Sequence, residues 1–188
     1  MTALTSDRVT MKIGVFCSAN GQIDPEFFRA TEALGRWMAE HGHVLVYGGV
    51  NQGLMECIAR AVHDGGARTI GVVPRIVEKS GRTSQYVEVE IKCDDLTDRK
   101  QLMMDQSDLF VALPGGIGTL DEVFTVAASA TIGYHRKPVV LYNIKDFWRP
   151  LISLLDDLQA RGMVRGEWQQ YIKVANSLEE LVTLLENL

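Results

Sequence analysis

The chain has 188 residues and a formal net charge of −5 at pH 7, from 19 basic and 24 acidic side chains. Its length suits a single domain that buries its own hydrophobic core. The acidic balance argues against a nucleic-acid partner or an anionic membrane surface, since both reward clustered lysine and arginine, and it favours a small ligand.

Cysteine and histidine usage narrows the class of protein further. Cys17, Cys57 and Cys93 are odd in number and widely spaced, which favours buried, reduced thiols in a cytoplasmic protein. The four histidines lack the spacing of metal ligands. No apolar run is long enough to span a bilayer. We expect residues 1–10 to be a flexible start and residues 11–188 to form one domain.

The predicted elements alternate between strands and helices along the chain. The predicted strands cover residues 12–17, 44–47, 69–73, 87–93, 109–113, 139–142 and 172–175. The predicted helices cover residues 25–41, 53–65, 98–107, 119–133 and 147–161, and a last helix opens with a capping box at Ser177 and Glu180.

This alternation predicts an α/β fold: a doubly wound, Rossmann-like, mostly parallel sheet with helices on both faces and right-handed crossovers. Ligands of such sheets bind beyond the carboxyl ends of the strands. The turns at residues 17–21, at Gly48 and Gly49, and after residue 113 should therefore gather at one edge. The polar stretch 78–85 is open to two interpretations, a loop beside the site or a surface loop without a role.

The most informative segment is residues 114–122, PGGIGTLDE, which we call the hook. Pro114 ends an apolar strand, and the glycines let the backbone turn tightly and approach a ligand. The helix that follows offers unpaired N–H groups and the positive end of its dipole, so an anion fits there. Upstream, Arg99 and Lys100 form a second basic element within reach of the same anion.

Three familiar motifs are absent from the chain. The turn after the first strand lacks the G-x-G-x-x-G of dinucleotide binding, and neither the P-loop pattern G-x-x-x-x-G-K-[ST] nor G-x-S-x-G occurs. The hook does satisfy P-G-G-x-G-T-x-x-E in full, and Arg99 with Lys100 supplies an R-K pair. Residues 46–49 (VYGG), 53–55 (GLM) and 71–74 (GVVP) add further matches.

In these motifs the chain resembles, over residues 12–155, the LOG family of cytokinin riboside 5′-monophosphate phosphoribohydrolases, often mislabelled lysine decarboxylases. The resemblance implies hydrolysis of the N-glycosidic bond of a nucleoside 5′-monophosphate to free base and ribose 5-phosphate. It implies no metal and no organic cofactor. It also implies a homodimer with the site near the subunit interface, and the alanine-rich helix 119–133 is the expected contact.

Departure of a base leaves an oxocarbenium-like sugar, which a carboxylate stabilises directly or by orienting a water. Glu122 is the candidate for this catalytic role. Arg99 stays protonated and would clamp phosphate or sugar, and Lys100 would add a point charge. The other predicted substrate-binding residues belong to the hook and to two neighbouring turns: Gly115, Gly116, Ile117, Gly118, Thr119, Leu120, Asp121, Gly48, Gly49 and Ser18.

Each motif also has a structural alternative. Thr119 and Glu122 fit a T-x-x-E capping box, which needs no catalysis. Arg99 and Lys100 are expected in the first turn of a helix, where cations are disfavoured, yet a plain surface network with neighbouring aspartates would neutralise them. The aspartates concerned are Asp94, Asp95 and Asp98. Ser18 equally suits a polar turn, and the glycine pair a tight turn.

The chain departs from the family pattern at Thr97, where many members have histidine, at Val50, which replaces a third glycine, and at Ala128 and Ser129. These departures leave the base open between an N6-prenylated adenine, the adenine of AMP and another base. A nucleotide sensor or carrier that lost turnover is the alternative function. Lysine decarboxylation is disfavoured because no lysine stands out as a Schiff-base residue for pyridoxal phosphate.

Overall fold

The computed structural model describes residues 9–188, so most of the predicted flexible start at residues 1–10 lies outside the described part. Seven parallel strands form one sheet in the order β4-β3-β2-β1-β5-β6-β7. The strands are β1 Lys12–Phe16, β2 Val44–Tyr47, β3 Thr69–Pro74, β4 Val89–Cys93, β5 Leu109–Ala112, β6 Val139–Tyr142 and β7 Ile172–Ala175.

Helices cover both faces of this sheet. They are α1 Pro25–Glu40, α2 Gly53–Asp64, α3 Arg75–Lys79, α4 Leu96–Gln106, α5 Ile117–Thr131, α6 Arg149–Ala160 and α7 Leu178–Glu186. The apolar residues of α1, α2 and α7 pack in one core cluster, and those of α4, α5 and α6 in a second cluster on the other face. The predicted doubly wound α/β fold is confirmed.

Burial on both faces explains why the central strands read as unbroken apolar runs. In β1, Ile13 and Val15 belong to one core cluster and Phe16 to the other. Phe16 stacks on Phe110 of β5 with ring centroids 5.1 Å apart. Gly14 lies against the same ring, since a Cβ there would come within 2.4 Å of Phe110. The β1 and β5 pair at the centre of the sheet is therefore tightly fixed.

Side-chain caps start two helices where the sequence predicts them. The Asp24 carboxylate accepts from the Glu26 N–H, and Pro25 is the first residue of α1. The Ser177 hydroxyl accepts from the Glu180 N–H at 3.1 Å, but the Glu180 carboxylate binds the Asn176 N–H at 2.7 Å rather than that of Ser177. The capping box is thus half formed, with its second bond shifted by one residue.

Two helix starts differ from the prediction, and both bear on the site. α4 begins at Leu96 because the Asp95 carboxylate accepts from the N–H groups of Thr97 and Asp98. Arg99 therefore lies at the end of the first turn and Lys100 in the second, where the penalty on cations has faded. α5 begins at Ile117, two residues before the predicted start at Thr119.

None of the helices within residues 9–188 is both long and apolar enough to cross a bilayer.

Candidate active site

Three turns meet at the carboxyl edge of the sheet, where β1 lies between β2 and β5. The Ser18 N–H, after β1, donates to the Pro114 carbonyl of the hook at 3.1 Å. The Ser18 carbonyl accepts from the Leu54 N–H of α2 at 2.9 Å. The chain order reverses beside β1, and this is the position where open α/β sheets bind ligands.

Ser18 joins the β1 turn, the hook and α2 through its backbone, while its hydroxyl accepts from the Asn20 N–H at 3.0 Å. The polar-turn interpretation of this side chain therefore describes its bond in the structure. Gly53 permits the close approach of α2, since its φ is +57° and a Cβ would come within 2.5 Å of the Ala19 carbonyl carbon.

The hook forms the start of α5 without a side-chain cap. Gly116 is the N-cap, and the first backbone bond of the helix runs from the Leu120 N–H to the Gly116 carbonyl at 3.0 Å. The amides of Ile117, Gly118 and Thr119 thus lack an intrahelical acceptor and mark the positive end of the helix dipole. Apart from the adjacent residues and the backbone of α5 itself, no atom of residues 9–188 lies within 4 Å of a Cβ position on Gly116 or Gly118, so this backbone is open on that side.

The capping-box interpretation of Thr119 and Glu122 is wrong. Because α5 starts at Ile117, Thr119 lies inside the first turn and Glu122 in the second. The Thr119 side chain is buried and packs over Gly115, where a Cβ would come within 2.0 Å of its hydroxyl oxygen. Glu122 therefore has no role in capping its helix, and its burial needs another explanation.

Glu122 lies opposite Arg99 of α4. Arg99 Nη1 is 3.9 Å from Glu122 Oε1, and the two side chains are 12% and 9% exposed. The Nε and Nη2 atoms of Arg99 are buried with no hydrogen-bond partner among residues 9–188. Buried donors on a permanently charged group are costly when unpaired. The arrangement is that of a guanidinium able to bind an anion or a sugar hydroxyl.

The predicted glycine pair after β2 shapes this space. A Cβ on Gly48 would lie 1.7 Å from Nη2 and 2.9 Å from Cζ of Arg99, so the guanidinium occupies the volume that any side chain would take. Gly49 has φ +70°, and a Cβ there would come within 2.5 Å of Cγ2 of Val73. Gly48 therefore makes room for Arg99, whereas Gly49 serves the turn itself.

Burial raises the pKa of Glu122 to about 7, because the desolvation of the carboxylate outweighs the attraction of Arg99. The neighbouring Asp121 charge raises that pKa further and Lys100 lowers it. At neutral pH the carboxyl group is close to the midpoint of its titration. A group with this property in a cleft is able to exchange a proton or to respond to a developing charge.

The outer pair of the same two helices is Lys100 and Asp121. The Lys100 ammonium donates to both carboxylate oxygens of Asp121 at 2.9 Å. The predicted surface network with the three aspartates before and at the start of α4 is therefore wrong, because those aspartates are engaged elsewhere. Asp94 accepts from Arg75, Asp95 caps α4 and Asp98 accepts from the Asp94 N–H.

Two further residues reach the site, at positions for which the sequence assigned no role, although one begins the predicted turn 17–21 and the other belongs to the 53–55 match. Cys17 is buried, and its pKa is raised by burial first and by the Glu122 charge second. Met55 of α2 lies over Gly48, with its sulfur 3.3 Å from the Cβ position. Their places at a strand end and in a helix start are the signal that could have found them.

The stretch 78–85 lies beside the β2 turn, as one of its two interpretations expects. The Ser84 N–H donates to the Gly49 carbonyl at 2.8 Å, and the Asn51 N–H to the Arg82 carbonyl at 2.9 Å. Of the remaining predicted residues, Ile117 is 87% exposed and Leu120 is half-buried. A cavity of about 950 Å³ lies at the opposite edge of the sheet, near the starts of β1 and β5 and away from the predicted site residues.

Comparison with known proteins identifies the family to which this chain belongs. The family model described as "Possible lysine decarboxylase" matches residues 55–185. A probable cytokinin riboside 5′-monophosphate phosphoribohydrolase of Oryza sativa subsp. japonica is 38% identical over 178 residues, covering 93% of this chain and 72% of its own length. A cytokinin riboside 5′-monophosphate phosphoribohydrolase of Arabidopsis thaliana is 35% identical over 175 residues, covering 93% and 81%.

Solved structures agree on the fold. The molybdenum cofactor binding protein of Rippkaea orientalis superposes with a TM-score of 0.73 at 26% identity, over 95% of this chain and 97% of that one. The molybdenum cofactor carrier protein of Chlamydomonas reinhardtii gives 0.72 at 24% identity, over 95% and 98%. Because the family model matches residues 55–185 and these relatives are 38% and 35% identical over most of the chain, the chain belongs to the LOG family of phosphoribohydrolases. These enzymes are hydrolases that act on N-glycosyl bonds.

Proposed function

We propose that this protein hydrolyses the N-glycosidic bond of a nucleoside 5′-monophosphate and releases the free base and ribose 5-phosphate. The observation that carries the proposal is the buried pair of Arg99 and Glu122 beside the open start of α5. An anion cradle, an unpaired guanidinium and a carboxyl group of raised pKa are the three parts that this reaction requires.

The hook binds the 5′-phosphate in this proposal. The amides of Ile117, Gly118 and Thr119 point from the positive end of α5, and Gly115 and Gly116 allow the phosphate to approach the backbone. Arg99 then donates from Nε and Nη2 to the phosphate or to a ribose hydroxyl, which supplies the acceptors that these buried donors lack in the protein.

Glu122 acts at the anomeric carbon. The bond between C1′ and the base nitrogen breaks, the electron pair leaves with the base, and positive charge develops on the sugar. The ionised carboxylate stabilises this charge and orients a water molecule. The water oxygen bonds to C1′, one of its protons is released, and the base takes up a proton. A carboxylate held in a buried site is worth more to such a transition state than one in water.

The substrate is a cytokinin riboside 5′-monophosphate, as the names of the plant relatives suggest, or AMP. The phosphate and sugar contacts are those of the hook and Arg99, whereas the departures at Thr97, Val50 and Ala128 concern the base. Residues 11–188 act as one nucleotide-binding domain. The three buried, unpaired thiols support a cytoplasmic protein.

The protein also acts as a homodimer in this proposal. Ile117, Phe124 and Ile132 follow one another at spacings of seven and eight along α5 and its end, on one stripe of the helix, and are 87%, 40% and 68% exposed. Large apolar side chains in a contiguous patch are typical of an interface between chains. This stripe continues from the hook, so a second copy bound there would lie next to the site.

A nucleotide carrier of the same fold is the second candidate, and the solved molybdenum cofactor binding protein motivates it. A pure carrier gains nothing from Glu122, because a carboxylate beside an anion site repels the anion. Turnover therefore separates the two candidates.

The test is a panel of nucleoside monophosphates, including AMP, isopentenyladenosine monophosphate, GMP and UMP, assayed for free base and ribose 5-phosphate. Adenosine without phosphate is the control substrate. We expect hydrolysis of a monophosphate but not of adenosine, and a loss of about a hundredfold or more in Glu122→Gln with AMP binding retained. Binding of AMP without turnover of any substrate would instead favour the carrier.

A further inference from the structure

Two consecutive residues of α4 face two consecutive residues of α5. Arg99 and Glu122 form the inner, buried pair, with Nη1 and Oε1 3.9 Å apart. Lys100 and Asp121 form the outer pair, in which the ammonium lies 2.9 Å from each carboxylate oxygen. The outer pair is the closer and better hydrogen-bonded of the two, although it lies nearer to solvent.

We propose that Lys100 and Asp121 are positioning residues, which hold α4 against α5 and thereby set Arg99 opposite Glu122. This inference rests on the proposed function and gives the outer pair a role in place of the substrate contacts that the sequence predicts. The pair acts on the reaction only through its two neighbours.

The first argument is the polar attachment of the two ends of α4. In the middle of this helix Met103 is fully buried, and its two sequence neighbours pack partly buried against the same core cluster. The ends of the helix are held by polar contacts. The Met104 carbonyl accepts from the Lys137 ammonium at 2.6 Å near the carboxyl end, and Lys100 binds Asp121 near the amino end. Loss of the second contact would free the turn that carries Arg99.

The second argument is that the Lys100 ammonium already has an acidic partner, whereas Arg99 has unpaired donors. Its side chain is 21% exposed, so the pair is partly desolvated and stronger than a fully exposed one. Any phosphate would compete with both oxygens of Asp121 for the same ammonium. Arg99 differs, because two of its donors have no acceptor among the described residues. The structure thus divides the two basic residues between anchoring α4 and binding a ligand.

The third argument is electrostatic. The charge on Asp121 raises the pKa of Glu122, and the charge on Lys100 lowers it. Removing one member of the outer pair therefore shifts the Glu122 titration in one direction, and removing the other shifts it in the opposite direction. Both removals loosen the same helix contact, so they lower turnover together.

The test is a charge-reversal cycle with Lys100→Asp, Asp121→Lys and the double variant. We expect each single variant to lower kcat/KM for the monophosphate about tenfold or more, and the double variant to recover most of the loss. Recovery no better than the worse single variant would overturn the proposal. The matched control reverses Arg161 and Asp157, an exposed pair at the carboxyl end of α6, and should leave kcat unchanged.

The neutral variants separate positioning from ligand binding. If Lys100 binds the phosphate, Asp121→Asn frees its ammonium and tightens AMP binding, while Lys100→Met weakens it. If the pair positions α4, both variants lower kcat and neither tightens AMP binding, because both loosen the turn that carries Arg99. Tighter binding in Asp121→Asn therefore contradicts the proposal.

A measurement on the ligand-free protein keeps the inference apart from the proposed function. Carboxyl-carbon NMR should show the Glu122 titration at higher pH in Lys100→Met and at lower pH in Asp121→Asn. Thermal unfolding should show non-additive effects in the charge-reversal cycle. If no monophosphate is hydrolysed, the proposed function fails while these two readouts still decide the pairing. Additive unfolding effects, or an unmoved Glu122 titration, would reject it.

Discussion

Arg99 Nη1 and Glu122 Oε1 lie 3.9 Å apart, although both side chains are almost completely buried. This separation is longer than a hydrogen bond, so neither group satisfies the other. The arginine keeps unpaired donors, and burial keeps the pKa of Glu122 at about 7. The pair is therefore held in a state that a bound phosphate ester of ribose would complete, at a cost to the stability of the ligand-free fold.

The pH dependence of activity follows from this carboxyl group. In the proposed mechanism the ionised form of Glu122 is active, so kcat/KM should rise with pH through a midpoint near 7, tenfold per pH unit well below it. A pH–rate profile between pH 5 and pH 9 measures this limb. A profile that falls with rising pH over this range would instead make the protonated group the active one.

The substrate phosphate also titrates near pH 6, so the profile needs a control. The Kd of AMP for Glu122→Gln over the same pH range supplies it. We attribute a pH dependence of the AMP Kd that persists in that variant to ionisation of the phosphate. The part of the rise in kcat/KM that it does not account for is attributed to ionisation of Glu122.

Stability should respond to the same group with the opposite sign. The folded-state pKa of about 7 lies above the ordinary value of 4.5. The carboxyl therefore favours the folded state most at low pH, and this contribution is lost as pH rises from about 4.5 to 7, by roughly 3 kcal/mol at most. Glutamine resembles the protonated form, so Glu122→Gln should gain Tm over the wild type as pH rises.

Thermal unfolding of both proteins at pH 5 and pH 8 measures this difference. We expect the Tm gap between Glu122→Gln and the wild type to widen by several degrees, since 1 kcal/mol corresponds to about 2–4 °C in a domain of this size. Asp24→Asn is a suitable control because the pKa of this half-buried carboxyl group is lowered, so it stays ionised at both pH values and its Tm gap should not change. An equal Tm gap between Glu122→Gln and the wild type at both pH values would argue against a raised pKa of Glu122.

Most of the fold was predictable because hydrophobic burial dictates it locally. The strands Val44–Tyr47, Val139–Tyr142 and Ile172–Ala175 have the predicted bounds, since the first two are short apolar runs and the third is mostly apolar. The two helix starts near the site were not predictable to the residue. Asp95 and Gly116 are both acceptable N-caps, but a later Asp98 or Thr119 is an equally good one in the sequence.

The gathering of the three turns at one edge was also predictable, because parallel strands bring their carboxyl ends to the same edge of a sheet. The pairing within the site was not. Sequence placed Arg99 and Lys100 together near the hook, but which acidic residue each one meets depends on the relative rotation of α4 and α5. Cys17 and Met55 reach the site from the end of β1 and the start of α2, whose position the sequence predicts without assigning either side chain a role.

Gly48 provides a test of how Arg99 is held. Gly48→Ala should lower kcat/KM by about a hundredfold, because the new Cβ would meet the guanidinium at 1.7 Å and displace it. The fold should change little in stability, since the clashing atom is the far end of a flexible side chain. Steady-state kinetics with circular dichroism and thermal unfolding measure both effects.

Two other glycines, one in the turn after β1 and one next to Gly48, serve as controls for this variant. Gly21→Ala meets no atom within 4 Å and should be silent in both assays. Gly49→Ala should lose stability instead, because its φ of +70° and the contact with Val73 strain the turn. If Gly48→Ala keeps full activity, the reaction does not need the Arg99 guanidinium at this position, and the role assigned to it there is wrong.

The exposed stripe on α5 makes a prediction about assembly. A carboxylate in the middle of an apolar interface is left unpaired and desolvated when two copies meet, which typically costs several kcal/mol. Ile132→Asp should therefore shift the protein from dimer to monomer, as measured by light scattering or sedimentation at micromolar concentration. The control is Met163→Asp, which changes a side chain 71% exposed in the segment after α6 and should leave the mass unchanged. A wild-type protein that is monomeric at these concentrations would contradict the proposed homodimer, and a dimer that survives Ile132→Asp would move the interface to another face.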